Sequence, residues 1–441
     1  MRIHLIAIGG SAMHNMALAL HRKGFEVTGS DDAIFSPSKE RLEKQGLLPK
    51  EMGWFDEKIT ADLDAIILGM HARIDNPELK RAKELNIPIY SYPEYIYEQC
   101  KNKKRVVIGG SHGKTSITAM ILHVLQSLNI DCDYMVGAQL EGFDTMVKLT
   151  HEAPIIILEG DEYLSSPIDR RPKFHLYQPH IAVLSGIAWD HINVFPTFDM
   201  YVNQFRIFKN MVADTLIYCT EDEQLNKLAK EETACQLIPY STPKHSINNG
   251  ITKVENTELI IFGNHNLQNL NAAKLVCNEL GVSDIDFFEN ISDFKGASMR
   301  LELVKKTNSS AIYKDFAHSP SKLKATSSAM KKQFKTRSLV ACMELHTFSS
   351  LNEEFLQQYK GCMDEPDTAI VYFSPAAIAH KKLEPITTKQ VHSAFNREDL
   401  LVFTDAKKLE DYLKSLNWEN QNLLMMSSGN FEGMEFGELI Q

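Results

Sequence analysis

Arg105-Val-Val-Ile-Gly-Gly-Ser-His-Gly-Lys-Thr-Ser-Ile-Thr118 is the stretch that decides the fold of this 441-residue chain. The β-branched residues at 106–108 predict a buried strand, and the apolar residues at 117–125 recur at helical spacing. Between them, glycines at 109, 110 and 113 predict a tight turn with exposed backbone N–H groups. A strand, a glycine turn and a helix N-terminus together form a binding site for phosphate groups.

The Lys-Thr pair after the turn gives this site its chemistry. Lys114 can reach the β- and γ-phosphates of a nucleotide, and Thr115 can hold Mg²⁺. The spacing departs from the usual phosphate loop, because Ile108 stands where the first glycine is expected. The alternative is a structural glycine-rich turn with an exposed lysine. We favour the nucleotide site, because strand, turn, Lys-Thr and helix follow in the order that phosphate binding requires.

Length and composition limit the possible classes of protein. A chain of this length predicts two or three domains of about 100–200 residues. The 44% hydrophobic and 24% charged residues are typical of a soluble globular protein. The net charge of −10 gives no basic surface, so nucleic-acid binding is not expected.

The cysteines and the apolar runs predict a cytoplasmic enzyme. Seven cysteines without a Cys-x-x-Cys pair are typical of reduced thiols. The first apolar run is too short for a signal peptide, because it ends at Gly9-Gly10. No other run approaches the length needed to span a membrane, so no membrane association is expected.

Residues 1–100 predict a small α/β domain. A strand at 3–8 leads into Gly9-Gly10 and a helix, and a second strand at 25–29 ends near Asp31. An acidic residue about 20 positions after the glycines is typical of a Rossmann-like βαβ unit. The complete glycine fingerprint is absent, so a role of Gly9-Gly10 in helix–strand packing alone stays open.

Further polar residues follow the apolar strands of the central region. Runs at 155–158 and 181–184 predict interior parallel strands. Glu159-Gly-Asp-Glu162 follows the first run, and Asp190-His191 lies beyond the second. Ligands of open α/β sheets bind at such strand ends, so Glu159 and His191 are expected beside the phosphate loop. The alternatives are a solvated acidic turn and an ordinary loop histidine.

The last part of the chain predicts a third α/β region. Gly263 to Asn271 is rich in amides that suit a base edge, although turn and cap residues are the alternative. A helix is predicted from Ala272. Strands predicted at 311–315, 338–343, 369–373, 401–403 and 423–427 alternate with helices. This order predicts a parallel sheet with right-handed crossovers.

Six motifs in order along nearly the whole chain resemble those of the Mur ligase family. They are Gly110-Ser-His-Gly-Lys-Thr115, Glu159-Gly-Asp-Glu162, Asp190-His191, Gly263-x-His-Asn-x-x-Asn269, Arg300 and Asp315-Phe-Ala-His318. The resemblance implies a three-domain α/β fold. Residues 1–100 would be a Rossmann-like UDP-sugar domain, 101–296 a central P-loop domain with a parallel sheet that binds ATP, and 297–441 a Rossmann-like domain for the amine substrate.

The resemblance also implies the roles of individual residues. ATP would be bound by Gly110, Ser111, His112, Gly113, Lys114, Thr115, Ser116, His265, Asn266, Asn269, Arg300 and Asp315. The UDP-sugar would be bound by Gly9, Gly10, Ser11, Ala12, Met13, Ser30, Asp31 and His71. His318 and His346 would contact the amine. Catalysis would rest on Lys114, Glu159 and His191. One Mg²⁺ would be held by Thr115, and a second Mg²⁺ would be held by Glu159 and His191.

The family reaction is ATP-driven amide formation on UDP-N-acetylmuramate during cell-wall synthesis or recycling. The segments at 169–174, 191–195 and 427–433 resemble the branch that adds the tripeptide L-alanyl-γ-D-glutamyl-meso-diaminopimelate. Glu344-Leu-His346 resembles the branch that adds L-alanine. Ser349 and Ser350 lie where the alanine-adding branch carries an arginine, and Met299 and Ser319 also depart from the family pattern. We therefore predict the tripeptide as the amine.

The sequence has three alternative interpretations besides tripeptide addition. They are L-alanine addition, a nucleotide-sugar sensor without turnover, and a dinucleotide-dependent oxidoreductase. Intact Lys114, Thr115, Glu159 and His191 argue against the sensor, and the incomplete glycine fingerprint argues against the oxidoreductase. The expected partners are small molecules only, namely UDP-N-acetylmuramate, ATP and a peptide or amino acid. A monomer or weak dimer is expected.

Overall fold

A computed structural model describes residues 1–189, 194–297 and 299–440. The chain forms two compact units. Unit 1 comprises Met1–Ser241 and Gln268–Ile291, and unit 2 comprises Thr242–Leu267 and Ser292–Gln441. The division into three domains at 1–100, 101–296 and 297–441 stays a prediction.

The first sheet of unit 1 is built as the N-terminal sequence predicts. Its four parallel strands lie in the order β2-β1-β3-β4. They are β1 (Arg2–Ile6), β2 (Glu26–Ser30), β3 (Ala65–Leu68) and β4 (Ile89–Ser91). The helices between and after them are α1 (Ser11–Arg22), α2 (Ser38–Lys44), α3 (Pro77–Glu84) and α4 (Tyr92–Cys100). Side-chain caps fix two of these helices, because Asn76 accepts the Leu79 N–H and Ser91 forms a capping box with Glu94.

The second sheet of unit 1 has seven strands in the order β11-β10-β9-β5-β8-β6-β7. They are β5 (Lys104–Gly109), β6 (Asp133–Met135), β7 (Val147–Lys148), β8 (Ile155–Glu159), β9 (Ile181–Leu184), β10 (Thr215–Cys219) and β11 (Gln236–Tyr240). Only β7 runs antiparallel to its neighbour among these described strands. The helices of this part are α5 (Lys114–Ser127), α6 (Lys173–Leu176), α7 (Phe198–Asn210), α8 (Glu223–Leu228), α9 (Asn264–Glu279) and α10 (Asp284–Ile291).

Strand β5 lies in the middle of this sheet, between β8 and β9. Its β-branched residues 106–108 are completely buried, as is the apolar face of α5 that includes Ile117 and Val124. Parallel pairing places Ile108 opposite Glu159 and Gly109 opposite Leu184. The carboxyl ends of β5, β8 and β9 therefore lie side by side, which is where ligands bind in such sheets.

Unit 2 contains a small antiparallel sheet and a larger mixed sheet. The small sheet consists of β12 (His245–Asn248), β13 (Ile251–Val254) and β14 (Thr257–Leu259). The larger sheet consists of β15 (Glu302–Lys306), β16 (Ala311–Asp315), β17 (Ser338–Glu344), β18 (Thr368–Tyr372), β19 (Leu401–Phe403) and β20 (Gln421–Met426), in the order β15-β16-β20-β17-β18-β19. Its helices are α11 (Pro320–Gln333), α12 (Glu353–Leu356), α13 (Pro375–His380), α14 (Thr388–Phe395) and α15 (Ala406–Ser415).

The larger sheet of unit 2 separates two apolar cores. Alternate residues of its strands point to opposite faces, so Ala341 and Met343 join one core and Val340 and Cys342 join the other. Strand β15 pairs antiparallel with β16, and the remaining pairs are parallel. This is the alternating α/β pattern that the sequence predicts.

Helix α9 corrects the prediction for the amide-rich segment. The sequence predicts a helix only from Ala272, but α9 already begins at Asn264. Gly263 precedes it with a φ of 88°, and Asn266 Nδ2 donates to the Phe262 carbonyl at 3.0 Å. The amide side chain thus bonds backward along the chain rather than competing with the helix.

The cysteines are reduced, as the sequence predicts. All seven cysteines are free, buried thiols. Within the part of the chain that the structure describes, no helix is long and apolar enough to cross a membrane.

Candidate functional site

The phosphate loop follows β5 as predicted, and two of its glycines are required by geometry. Gly110 has a φ of 125° and Gly113 a φ of 79°, values that side chains rarely allow. A Cβ at Gly110 would lie 2.2 Å from Ser185 Oγ, and one at Gly113 would lie 2.3 Å from Asn269 Oδ1. The loop therefore packs directly against Ser185, which follows β9, and against Asn269 of α9, and α5 begins at Lys114.

Lys114 is held at the mouth of this loop by anionic and carbonyl oxygens. Its Nζ lies 2.7 Å from Glu162 Oε2, 2.8 Å from the Gly110 carbonyl and 3.9 Å from Asp161 Oδ1. Burial alone would lower the pKa of Lys114, but the Glu162 and Asp161 carboxylates raise that pKa above its ordinary value. The ammonium is therefore charged at neutral pH, as phosphate binding requires.

Thr115 and Glu159 meet beside the loop. The Thr115 hydroxyl donates to Glu159 Oε1 at 2.8 Å, and the Gly137 N–H donates to Oε2 at 2.7 Å. Glu159 is only 5% exposed, and burial together with the charge of Asp161 raises its pKa. A nearby cation would favour the ionised carboxylate. Mg²⁺ prefers oxygen ligands such as these hydroxyl and carboxylate groups. Thr115 therefore fits the first predicted Mg²⁺, and Glu159 fits the second.

The histidine predicted to hold Mg²⁺ together with Glu159 is not among the described residues. His191 and its neighbour Asp190 lie outside the described residues. Over residues 1–189, 194–297 and 299–440, no group of three or more His, Cys, Asp or Glu side chains is arranged to hold a metal ion. The Mg²⁺ site shared by Glu159 and His191, like the separate one at Thr115, therefore stays a prediction.

Asp161 and the basic segment that follows it are paired within unit 1. Lys173 Nζ lies 3.1 Å from Asp161 Oδ2 and 4.2 Å from the centre of the Tyr163 ring. Although burial opposes it, Lys173 and Lys114 lower the pKa of Asp161. Arg171 pairs with Asp169 at 2.6 Å and with Glu94 at 2.8 Å. Two of the three basic side chains in the segment at 169–174 are thus held by acidic side chains of the chain itself.

The predicted UDP-sugar residues surround the first glycine turn. The Gly9 N–H donates to Asp31 Oδ2 at 2.7 Å, and Asp32 N–H donates to Asp31 Oδ1 at 2.9 Å. Burial raises the pKa of Asp31. Ser30 is completely buried and accepts a 3.2 Å hydrogen bond from Lys58. Asp31 therefore closes the turn in front of α1, a contact that its position after β2 predicts, whereas Lys58 carries no sequence signal.

The other UDP-sugar residues occupy the adjoining segments. His71 lies on the segment after β3 and is exposed. Gly10 precedes α1, and Ser11, Ala12 and Met13 form its first turn. Their contacts with a nucleotide stay a prediction.

Within unit 2, Asp315 supports the backbone that carries Arg300. Asp315 Oδ2 accepts the Leu301 N–H at 2.7 Å, and Oδ1 accepts the Ala317 N–H at 2.7 Å. Leu301 adopts a φ of 47°, which these bonds help to hold. The Arg300 guanidinium lies 4.9 Å from the centre of the Phe316 ring. Asp315 thus bonds to backbone amides beside Arg300, and the contacts of both residues with ATP stay a prediction.

His265 is a neutral base in this unit. Burial and the positive charge of Arg300 lower its pKa to about 4. A neutral imidazole can accept or donate one hydrogen bond, which suits a base edge better than a phosphate. Its predicted role beside adenine is consistent with this charge state and stays a prediction, as do the roles of Asn266 and Asn269.

The two histidines predicted to contact the amine lie near one edge of the larger sheet. His318 follows β16, and its Nδ1 lies 2.9 Å from the Phe316 carbonyl. His346 follows β17 and is 36% exposed, with its Nδ1 3.6 Å from Glu344 Oε1. Glu344 Oε2 accepts hydrogen bonds from the Ser427 hydroxyl and from the Phe431 N–H. No local sequence pattern connects Glu344 with Ser427, because Ser427 follows β20, which is distant from β17 in the chain.

Two family models match this chain. The model of the Mur ligase family catalytic domain matches residues 2–104, and the model of the Mur ligase middle domain matches residues 108–277. The UDP-N-acetylmuramate–L-alanine ligase of Sulfurihydrogenibium sp. (strain YO3AOP1) is 28% identical over 452 residues, which cover 97% of this chain and 95% of that protein.

Two solved structures share the fold over almost the whole chain. The UDP-N-acetylmuramate-alanine ligase of Thermotoga maritima superimposes with a TM-score of 0.71 at 20% identity, covering 98% of this chain and 97% of that one. The murein peptide ligase of Psychrobacter arcticus superimposes with a TM-score of 0.64 at 22% identity and the same coverages. At these identities the likeness concerns the fold, and it confirms the predicted α/β class.

Proposed function

We propose a specific reaction for this chain, which belongs to the Mur ligase family. As a member of that family, the chain is an ATP-dependent ligase that forms amide bonds in peptidoglycan synthesis. In this reaction the muramyl carboxylate of UDP-N-acetylmuramate is joined to the amino group of L-alanyl-γ-D-glutamyl-meso-diaminopimelate. The observation that carries the nucleotide part is the charged Lys114 at the mouth of a glycine loop.

The proposed chemistry has two steps. A carboxylate oxygen of the sugar attacks the γ-phosphorus of ATP, and the bond to the β–γ bridging oxygen breaks, which gives an acyl phosphate and ADP. The amine then attacks the acyl carbon, loses a proton, and inorganic phosphate leaves. The barrier is dominated by bringing a carboxylate and a triphosphate together, so the protein mainly positions and neutralises.

The chain's own residues would divide this work. Lys114 donates to the oxygens of the transferring phosphate, and the loop amides of residues 110–113 bind the remaining phosphate oxygens. One Mg²⁺ held by Thr115 and a second held by Glu159 and His191 would supply further charge neutralisation. Glu159 would orient the Thr115 hydroxyl through the bond that already joins them.

The amine substrate is assigned from the residues at the edge of unit 2. Ser350 is completely buried and bonded to Thr347, and Ser349 carries no charge. Neither serine can pair the carboxylate of free L-alanine, and an unpaired buried carboxylate is costly. A tripeptide can place its carboxylates farther from this point. These features support the peptide as the substrate.

L-alanine is the second candidate, and two observations favour it. Arg171 and Lys173 are held by acidic side chains, so they do not stand ready for a peptide carboxylate. The relative from Sulfurihydrogenibium is named for alanine addition. Steady-state rates with both amines therefore decide between the two candidates.

We expect kcat/KM to be higher for the tripeptide than for L-alanine. The assay follows ADP release with saturating ATP and UDP-N-acetylmuramate and a series of amines from L-alanine to the tripeptide. A higher value for L-alanine would assign the chain to alanine addition. The absence of ADP release with every amine, together with tight binding of the UDP-sugar, would indicate a sensor.

The predicted metal role of Glu159 gives a separate expectation. In Glu159→Ala the Mg²⁺ concentration for half-maximal rate should rise about tenfold or more, because a carboxylate ligand is lost. Glu152→Ala, which removes an exposed acid shortly before β8, is the matched control and should not change it. The Glu159→Ala/His191→Ala variant should be little worse than either single variant. Independent, multiplicative losses would argue against a shared ion.

A further inference from the structure

Glu162 is a buried carboxylate to which none of the roles above assigns a function. It is 2% exposed, and its Oε2 lies 2.7 Å from Lys114 Nζ. Its Oε1 accepts a 3.1 Å hydrogen bond from the Tyr201 hydroxyl. Glu162 thus joins the phosphate-loop lysine to helix α7, which carries Tyr201.

The hydrogen bonds continue from Tyr201 back to the loop itself. The Tyr201 hydroxyl lies 2.8 Å from Ser111 Oγ, and Ser111 Oγ accepts the Ala188 N–H at 2.9 Å. Because the Tyr201 proton is directed to Glu162, the Ser111 hydroxyl donates to Tyr201. Tyr201 is completely buried, and its ring packs edge-on against Phe205 with centroids 5.1 Å apart. This chain of bonds fixes the orientation of the Glu162 carboxylate.

We propose that Glu162 and Tyr201 are positioning residues that hold Lys114 in place for the transferring phosphate. The inference rests on the proposed function, in which Lys114 contacts that phosphate. An ammonium has three N–H donors. Among the described residues, the Gly110 carbonyl and Glu162 take two of them, so one remains for a phosphate oxygen. A lysine held in this way has already lost most of its rotamer freedom before ATP binds.

The same carboxylate opposes binding of ATP in the ground state. Glu162 is negative and lies beside the site of a triphosphate, so it repels the nucleotide while it fixes the lysine. Glu162 therefore contributes to turnover at the expense of affinity. It also differs from Glu159, whose oxygens bond to Thr115 and Gly137 and not to the lysine.

Two variants test these roles. Glu162→Gln should lower kcat about tenfold while the affinity for ATP, measured by calorimetry without the sugar substrate, rises about threefold. Tyr201→Phe removes only one hydroxyl and should lower kcat about threefold with little change in ATP affinity. A merely structural residue would lower both quantities together, and a metal ligand would give a loss that excess Mg²⁺ restores.

Matched controls are available in the same unit. Tyr177→Phe removes a buried hydroxyl that has no hydrogen-bond partner within the described residues, and Glu231→Gln removes a half-exposed carboxylate paired with Arg206. Both should leave kcat and ATP affinity unchanged.

The outcomes separate this inference from the proposed function. Unchanged kcat in Glu162→Gln and Tyr201→Phe, weaker ATP binding by Glu162→Gln, or rescue by Mg²⁺ overturns the positioning role. If Glu162→Gln does not fold, Tyr201→Phe decides alone. If the wild-type chain releases no ADP with any amine, the proposed function fails, whereas the ATP affinity of Glu162→Gln still tests the contact with Lys114.

Discussion

Replacing Lys114 with alanine should lower the rate of ADP formation by about 10²–10³, because a preorganised donor to the transferring phosphate is lost. Lys114 is the cation that lies against the glycine loop, and its neighbours keep it charged. The loss should appear in kcat/KM for ATP, since the ammonium contacts both the bound and the reacting phosphate. Lys104→Ala, which removes an exposed lysine at the start of β5, is the matched control and should keep full activity.

The contacts of Lys114 require one further variant. Its removal takes a cation away from the buried carboxylates of Glu162 and Asp161, so Lys114→Ala should also be less stable. Lys114→Ala/Glu162→Gln removes one of these charges and should recover stability but not activity. Circular dichroism and binding of UDP-N-acetylmuramate show that a variant is folded. Near-normal ADP release by a folded Lys114→Ala would show that the glycine loop is not the nucleotide site.

Replacing Asp133 with alanine should destabilise unit 1 by about 3–5 kcal/mol, because it strands a buried cation. Lys103 and Asp133 form a 2.6 Å ion pair with 8% and 0% of their side chains exposed. Asp133 also accepts hydrogen bonds from the N–H and the hydroxyl of Thr150. Asp133 begins β6, the strand that leads to Gly137 and its bond with Glu159. Asp133→Ala should therefore also raise the Mg²⁺ concentration that gives the half-maximal rate.

A neighbouring pair provides the control for this prediction. Lys148 and Asp131 form a 2.8 Å pair whose side chains are 39% and 55% exposed. Asp131→Ala should cost only about 0–1 kcal/mol, because water screens the pair. Lys103→Met/Asp133→Leu should recover much of the loss, since neither partner is then left charged and buried. Urea denaturation followed by circular dichroism measures these differences, and equal costs for Asp131→Ala and Asp133→Ala would contradict the argument from burial.

The sequence predicts the main strands because they are short apolar runs bounded by turns. The runs at 181–184 and 401–403 coincide with β9 and β19. Strands β6 and β7 are missed, since three-residue and two-residue strands carry too little pattern. The antiparallel sheet of β12–β14 is missed for a similar reason, because its polar residues are largely exposed.

Local chemistry predicts the candidate site better than distant pairing does. Lys114 and Thr115 are adjacent, and Glu159 follows a neighbouring strand, so strand order alone brings them together. The contact of Glu162 with Tyr201 depends on how α7 packs, which no local pattern encodes. The ion pairs of Arg171 with Asp169 and of Lys173 with Asp161 are missed in the same way. The charge of a side chain does not reveal which acidic residue it will meet in the fold.

The buried thiols give the wild-type chain its own reporters of local opening. Cys100, Cys132, Cys219, Cys235 and Cys277 lie in unit 1, and Cys342 and Cys362 lie in unit 2. A bulky thiol reagent reacts with such a group only when the surrounding structure opens. Labelling rates of individual cysteines, followed by mass spectrometry, therefore measure the opening free energy of each unit separately. No engineered probe is needed, because each unit already contains at least two buried cysteines.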